Sequence, residues 1–219
     1  MWKAAAGVLG AGTAAAGGAL AYKGLTKPTT HSIRDLLATK NPEKRLISKS
    51  ADGSSTEWKA AWKLYLTSYK KDGKNPFSLN RDKPNTEPDG NENAPSEFMS
   101  KCESLSKEMV VDKEDSRYQN VLTYCTRNTL VKDLIIESGR TLLQESGDDW
   151  GASWKSYREV NTGKGEKQDV WQLSDWKDKQ NADSPVSEEL KKKCKEKLES
   201  NAGVQVNDDY PNVVKWCSK

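Results

Sequence analysis

Residues 58–65 read Trp-Lys-Ala-Ala-Trp-Lys-Leu-Tyr, and residues 150–157 read Trp-Gly-Ala-Ser-Trp-Lys-Ser-Tyr. The spacing i, i+4, i+7 puts Trp58, Trp62 and Tyr65 on one face of a helix, and Trp150, Trp154 and Tyr157 on one face of another. Residues suited to helix N-caps stand ahead of both: Ser54 to Thr56 in the first, Asp148 and Asp149 in the second. Such an aromatic stripe either packs inward or offers ring faces to a ligand, and packing inward is the ordinary outcome. The two octapeptides predict a mostly α fold in which one construction is used twice.

The likeness extends well beyond the stripe. Laying residues 54–125 on 146–217, an offset of 92, gives 14 identities in 72 positions without a gap, where about four or five are expected at ordinary composition. A second cluster of identities leads into a cysteine, Cys102 or Cys194. Phe98, Cys102, Leu105 and Met109 keep a helical period, as do Leu190, Cys194 and Leu198. Pro95 and Pro185 precede these segments as start signals. The third cluster is Tyr118-Gln-Asn-Val-Leu-Thr-Tyr-Cys125 against Tyr210-Pro-Asn-Val-Val-Lys-Trp-Cys217. Upstream, Ile33-Arg-Asp-Leu-Leu37 resembles Val131-Lys-Asp-Leu-Ile135 at an offset of 98. The division expected is an N-terminal segment over 1–30, a helical unit over 31–127 and a related unit over 128–219, each of three or four helices. The copies differ most in two polar connections, 70–94 and 161–184. The first carries three prolines and the turn signals Asp72-Gly73 and Asp89-Gly90.

Apolar residues make up only 34% of the 219, charged residues 31%, and eight Trp stand against two Phe. A core in so polar a chain must be small and aromatic. The net charge of +3 comes from Lys3, Lys23 and Lys27, since residues 31–219 carry 32 basic and 32 acidic side chains. A neutral body lacks the concentrated basic field of a nucleic-acid binder.

Ala4 to Tyr22 is an uncharged run of nineteen residues between Lys3 and Lys23, about the length that spans a bilayer. Its Ala/Gly content gives a weak drive to insert, and Ala19-Leu-Ala21 also fits the end of a cleavable signal peptide. A transmembrane anchor, a signal segment and an Ala/Gly arm on a soluble protein are the three readings, and a membrane or export role is the expectation. Lys23, Lys27 and Arg34 follow the run while only Lys3 precedes it, so the positive-inside rule would keep the body in the cytoplasm.

The four cysteines point the other way. They fall two per unit, 23 residues apart, as Cys102 with Cys125 and Cys194 with Cys217. Three pairings are possible, and the repeat singles out the one in which each unit closes its own bond. Paired cysteines behind an export-like segment fit an oxidising compartment, where the body would be extracellular. Buried free thiols are the competing reading. A zinc site is disfavoured, because there is no Cys-x-x-Cys spacing and His31 is the sole histidine.

No residue takes a catalytic role. Ser104-x-x-Lys107 lacks the partner motifs of a serine acylase. The glycine-rich start lacks the Lys-Ser/Thr ending of a phosphate loop. Asp148-Asp149 reads as helix capping, and Lys191-Lys-Lys-Cys-Lys195 among four glutamates reads as a solvated face. No metal, cofactor or small-molecule substrate is expected.

The Ala/Gly-rich opening ending in Leu20-Ala-Tyr22, the Trp-x-Ala-x-Trp-Lys-x-Tyr element and the Tyr-x-Asn-Val-x-x-aromatic-Cys element resemble the paralogous families of uncharacterised membrane and surface proteins of haemotropic mycoplasmas. The resemblance covers nearly the whole chain. It implies expansion by duplication, a membrane anchor and a surface or antigenic role, with no catalytic residues to carry over. The expected function is that of a membrane-anchored, surface-exposed, non-enzymatic protein contacting a host or partner protein. An intracellular, membrane-tethered helical scaffold or binding module is the alternative.

Overall fold

In a computed structural model, the described residues are 28–50, 52–203 and 208–219. The expected anchor or signal segment at 4–22 lies outside them. No helix among the described residues is long and apolar enough to cross a membrane. The chain is mostly helical, as its aromatic spacing predicts.

The first stripe lies on a 17-residue helix, which fixes the layout of the N-terminal half. After β1 (His31–Ser32), α1 (Ile33–Lys40) and β2 (Lys44–Leu46), helix α2 runs from Thr56 to Asp72. Ser55 starts it by accepting from Trp58 N–H, and Gly73 ends it in the left-handed region at φ 67°. Its buried residues, Trp58, Ala61, Trp62, Tyr65 and Leu66, form one stripe. Then come α3 (Ser96–Ser106), β3 (Met109–Val110), α4 (Ser116–Tyr124) and β4 (Thr126–Asn128). These elements enclose one hydrophobic core drawn from residues 33–125.

A second core is drawn from residues 131–217. It is enclosed by α5 (Val131–Glu137), α6 (Gly151–Val160), the short α7 (Trp176–Lys179), α8 (Glu188–Leu198) and α9 (Tyr210–Cys217). This half has five helices among the described residues, the additional one being α7, whose Trp176 enters the core. At the start of α6, Trp150 itself is the N-cap residue. Asp149 accepts from Gly151 N–H, while Asp148 turns back to accept from Gln144 N–H. Both acids bind backbone donors near the helix start, but Asp148 serves the preceding segment.

Two antiparallel ladders, β1 with β3 and β2 with β4, lace the first half together. The spacing of apolar residues gave no hint of them, since two or three residues are too few to show alternation. The C-terminal half makes the same links as isolated bridges, Leu130 with Asn201 and Leu142 with Ser218. Individual bonds correspond as well. Ile33 N–H donates to Glu108 O where Val131 N–H donates to Ser200 O, and Ile47 N–H donates to Cys125 O where Leu143 N–H donates to Cys217 O.

The halves meet at Thr129, which is buried. Its N–H donates to Glu43 O, its hydroxyl to Pro42 O, and its carbonyl accepts from Ala202 N–H. Arg45 grips Glu137 through two bonds of 2.9 Å, and Arg127 grips Asp133 at 2.6 and 2.9 Å. Asp133 also accepts from Leu130 N–H. Burial acts to raise the Asp133 carboxyl, but the Arg127 guanidinium and the Leu130 N–H outweigh it and hold the group below the ordinary carboxylate range.

Candidate functional site

Each half is tied by a disulfide, Cys102 to Cys125 and Cys194 to Cys217, both with a Cα–Cα distance of 5.5 Å. The first joins α3 to the end of α4, and the second joins α8 to α9. A bond closing a loop of this length contributes about 3 kcal/mol by restricting the unfolded chain. That is a large share of the stability of a small domain.

All six residues of the aromatic stripes are buried: Trp58, Trp62 and Tyr65 in the first core, Trp150, Trp154 and Tyr157 in the second. Trp62 stacks on Tyr65 at 5.6 Å and 12°, and Trp154 stacks on Tyr157 at 5.9 Å and 13°. The first cysteine helix presents Phe98 to this pair, and the last helix presents Trp216 edge-on to Tyr157 at 4.7 Å. The indoles find polar partners in matching places. Trp58 Nε1–H donates to Ser48 O and Trp150 Nε1–H donates to Gln144 O, each at 2.8 Å.

Each tyrosine hydroxyl organises a turn that sequence comparison at a single offset does not reveal. Tyr65 donates to Asn75 Oδ1 and accepts from Phe77 N–H at 3.3 Å, while Leu79 N–H donates to the same Asn75 oxygen at 3.0 Å. Tyr157 donates to Asp169 Oδ2 and accepts from Trp171 N–H at 3.0 Å, while Leu173 N–H donates to that Asp169 oxygen at 2.9 Å. Ser78 and Gln172 occupy the same place in the two turns and share the left-handed conformation, at φ 51° and 53°. The segments Asn75-Pro-Phe-Ser-Leu79 and Asp169-Val-Trp-Gln-Leu173 are related at an offset of 94. The turn therefore lies inside the two connections expected to differ most. Burial raises the Tyr157 hydroxyl well above its ordinary range, and the Asp169 carboxylate adds to this. Burial likewise raises Tyr65.

The disulfide of each half lines a groove, through Cys102 and Cys125 in the first and through Cys194 in the second. In the first half it is a cavity of about 780 Å³ between α1, the β2 segment and α3. Leu37, Leu46, Ile47, Trp58, Met99 and the Cys102–Cys125 bond form its apolar surface. The C-terminal half has a cavity of about 310 Å³ lined at the corresponding positions by Leu142, Leu143, Trp150 and Cys194. Two exchanges distinguish the linings. Ser106 of the larger groove is matched by Leu198, which fills the floor, and Met99 is matched by Lys191.

Ion pairs stand at both rims. Lys49 meets Glu103 at 3.4 Å, and Glu145 meets Lys195 at 3.2 Å, with the signs exchanged at corresponding positions. Lys132 further closes the smaller groove through Glu199 at 2.7 and 2.8 Å. No group of three or more His, Cys, Asp or Glu among the described residues is placed to hold a metal ion. A volume of 780 Å³ falls within the range of sites that hold a small ligand or a short peptide segment. No residue at its surface pairs a nucleophile with a base. What the groove offers is an apolar floor, a polar rim and a strand edge.

Comparison of the chain with protein-family models, with curated proteins and with solved structures found no match.

Proposed function

We propose that this chain is a non-enzymatic interaction protein: two tandem copies of one disulfide-stapled helical unit, 31–127 and 128–219, carried at a cell surface by residues 4–22. The observation that carries the reading is that each copy closes its own buried disulfide. Disulfides persist in oxidising surroundings and are rare where thiols are kept reduced. The matched turns, ladders and grooves support duplication. The resemblance to the paralogous families of haemotropic mycoplasmas supports a surface or antigenic role. The partner on this reading is a macromolecule of the host or of a neighbouring cell, met by side chains that differ between the copies.

The experiment is proteolysis of intact cells that display the full chain. The reading expects the body to be cut under conditions that cut known surface proteins and spare cytoplasmic ones. A body that stays whole while the surface controls are cut contradicts it.

One observation favours a second reading. The cations Lys23, Lys27 and Arg34 gather on the C-terminal side of the apolar run, which by the positive-inside rule would retain the body in the cytoplasm as a membrane-tethered scaffold. That reading requires four free thiols in the cell.

A further inference from the structure

The two grooves share one construction, and the first is much the larger. The difference begins at the strand edge. Ile47 N–H donates to Cys125 O, and Glu43 O accepts from Thr129 N–H. In an antiparallel ladder this sets the peptide groups of residues 43, 45 and 47 toward β4 and turns those of 44, 46 and 48 outward. Lys44 is already satisfied, its N–H on Asn41 O and its carbonyl by Arg45 Nη1, and Ser48 O is taken by the Trp58 indole. That leaves the N–H and C=O of Leu46 and the N–H of Ser48 without a partner among the described residues, on the edge that lines the groove. An exposed strand edge over an apolar floor is the arrangement to which an extended peptide adds as a further strand.

The second copy shows what closing such a site looks like. Gln144 stands where Ser48 stands, and its N–H is capped by Asp148 Oδ2 at 2.7 Å. Leu198 replaces Ser106 in the floor, and Lys132–Glu199 and Lys195–Glu145 tie the rim. The first copy keeps a counterpart of the last pair in Lys49–Glu103, but not of the backbone cap, the leucine in the floor or the Lys132–Glu199 tie.

Charge selects the occupant. Arg34, Lys44, Arg45 and Lys49 line the first groove against Glu103 and Glu137. Both acids are engaged, Glu137 by Arg45 and Glu103 by Lys49 and Lys107. Lys44 donates to the neutral Asn128 amide oxygen with the exposed Glu43 carboxylate also near it, and Arg34 forms no ion pair among the described residues, so the rim carries net positive charge. We infer that the groove floored by Cys102–Cys125 docks an extended peptide in which apolar and acidic side chains alternate, added antiparallel or parallel to the outer edge of residues 46–48. Apolar side chains enter the floor beside Trp58 and Met99, and acidic ones meet Arg34 and Lys44. This deepens the reading as an interaction protein and holds whichever side of the membrane the body occupies.

The test is calorimetric titration of the full, disulfide-bonded chain with two blocked six-residue peptides, one alternating Val with Glu and one alternating Val with Lys. Decanoate serves as a single-chain amphiphile of the same charge. The expected result is saturable binding of the Val/Glu peptide alone. It weakens at least tenfold in Ser106→Leu, which copies the closed floor, and in Arg34→Glu, with near-ultraviolet circular dichroism confirming that both variants keep the native core. Equal binding to Ser106→Leu, a preference for the Val/Lys peptide, binding of decanoate in place of the peptide, or no binding at millimolar peptide overturns the inference. Failure here leaves the surface reading untouched, since that reading stands or falls on accessibility in cells.

Discussion

Lys49 and Glu103 face each other at 3.4 Å across the first groove, and at the corresponding positions of the other half Glu145 and Lys195 face each other at 3.2 Å with opposite signs. A pair that has exchanged its charges while keeping its place indicates that the contact, rather than either charge, is what the architecture uses. Reversing one partner, as in Glu103→Lys, lowers stability. Reversing both, as in Lys49→Glu with Glu103→Lys, restores much of it. The coupling shrinks in 1 M salt, because both side chains are about half exposed. A double-mutant cycle by thermal denaturation at low and high salt measures this. Additive effects of the two single changes would show that the pair is incidental.

Asn75 and Asp169 hold the same turn, but only the asparagine satisfies both of its ends. Asn75 Nδ2–H donates to Leu79 O at 2.8 Å, whereas Asp169 Oδ1 is buried without a hydrogen-bond partner among the described residues. Asp169→Asn supplies the missing donor toward Leu173 O and stabilises the protein by about 1 kcal/mol. Asn75→Asp removes the donor and costs about 1–3 kcal/mol. Urea denaturation of the two variants checks both signs. A destabilised Asp169→Asn would mean that the turns are not equivalent.

Leu198 fills the floor of the smaller groove and is nearly fully buried. Leu198→Ala opens that floor and costs about 2–4 kcal/mol through lost contact and the space left behind. The same truncation at the solvent-exposed Leu64 falls within about 0.5 kcal/mol of zero. Urea midpoints compare the two.

Asp133 gives the protein a defined acid sensitivity. Its folded carboxyl lies below the ordinary range, so folding is favoured by its ionisation. That stabilisation is complete above the unfolded value, about 3.9, and is lost as the pH falls through the depressed folded value. At neutral pH Asp133→Asn costs about 2 kcal/mol, since it leaves Arg127 half-buried with a weakened partner. The difference between wild type and variant narrows below about pH 4. Denaturation midpoints from pH 7 to pH 3 follow the closing gap, and a gap that is constant over this range contradicts the assignment.

The aromatic spacing and the cysteine spacing made the helical character and the buried stripes legible, because rare residue types at a helical period are specific signals. Phe98 and Leu190, Cys102 and Cys194, and Val121 and Val213 all sit at one offset, so a single gapless alignment finds them. The turn at Asn75 and Asp169 was hidden by a two-residue shift in register and by the exchange of Asn for Asp and Phe for Trp. Leu46-Ile47 and Leu142-Leu143 correspond at yet another offset, 96, and only the matching bonds, Ile47 N–H to Cys125 O and Leu143 N–H to Cys217 O, identify them. The grooves were illegible for a different reason. Each is assembled from segments far apart in the chain, Arg34 to Glu137 in the first and Lys132 to Glu199 in the second, and the exchange of Ser106 for Leu198 acquires meaning only once both floors are seen.

The account rests on two intramolecular disulfides formed where the protein resides. The most direct measurement takes the chain from its own cells, traps thiols with an alkylating reagent in denaturant without reductant, and counts the labels by mass. Four cysteines without label, and peptides linking Cys102 to Cys125 and Cys194 to Cys217 after digestion, are the predicted result. Four labelled thiols would contradict it, and would place the body in a reducing compartment.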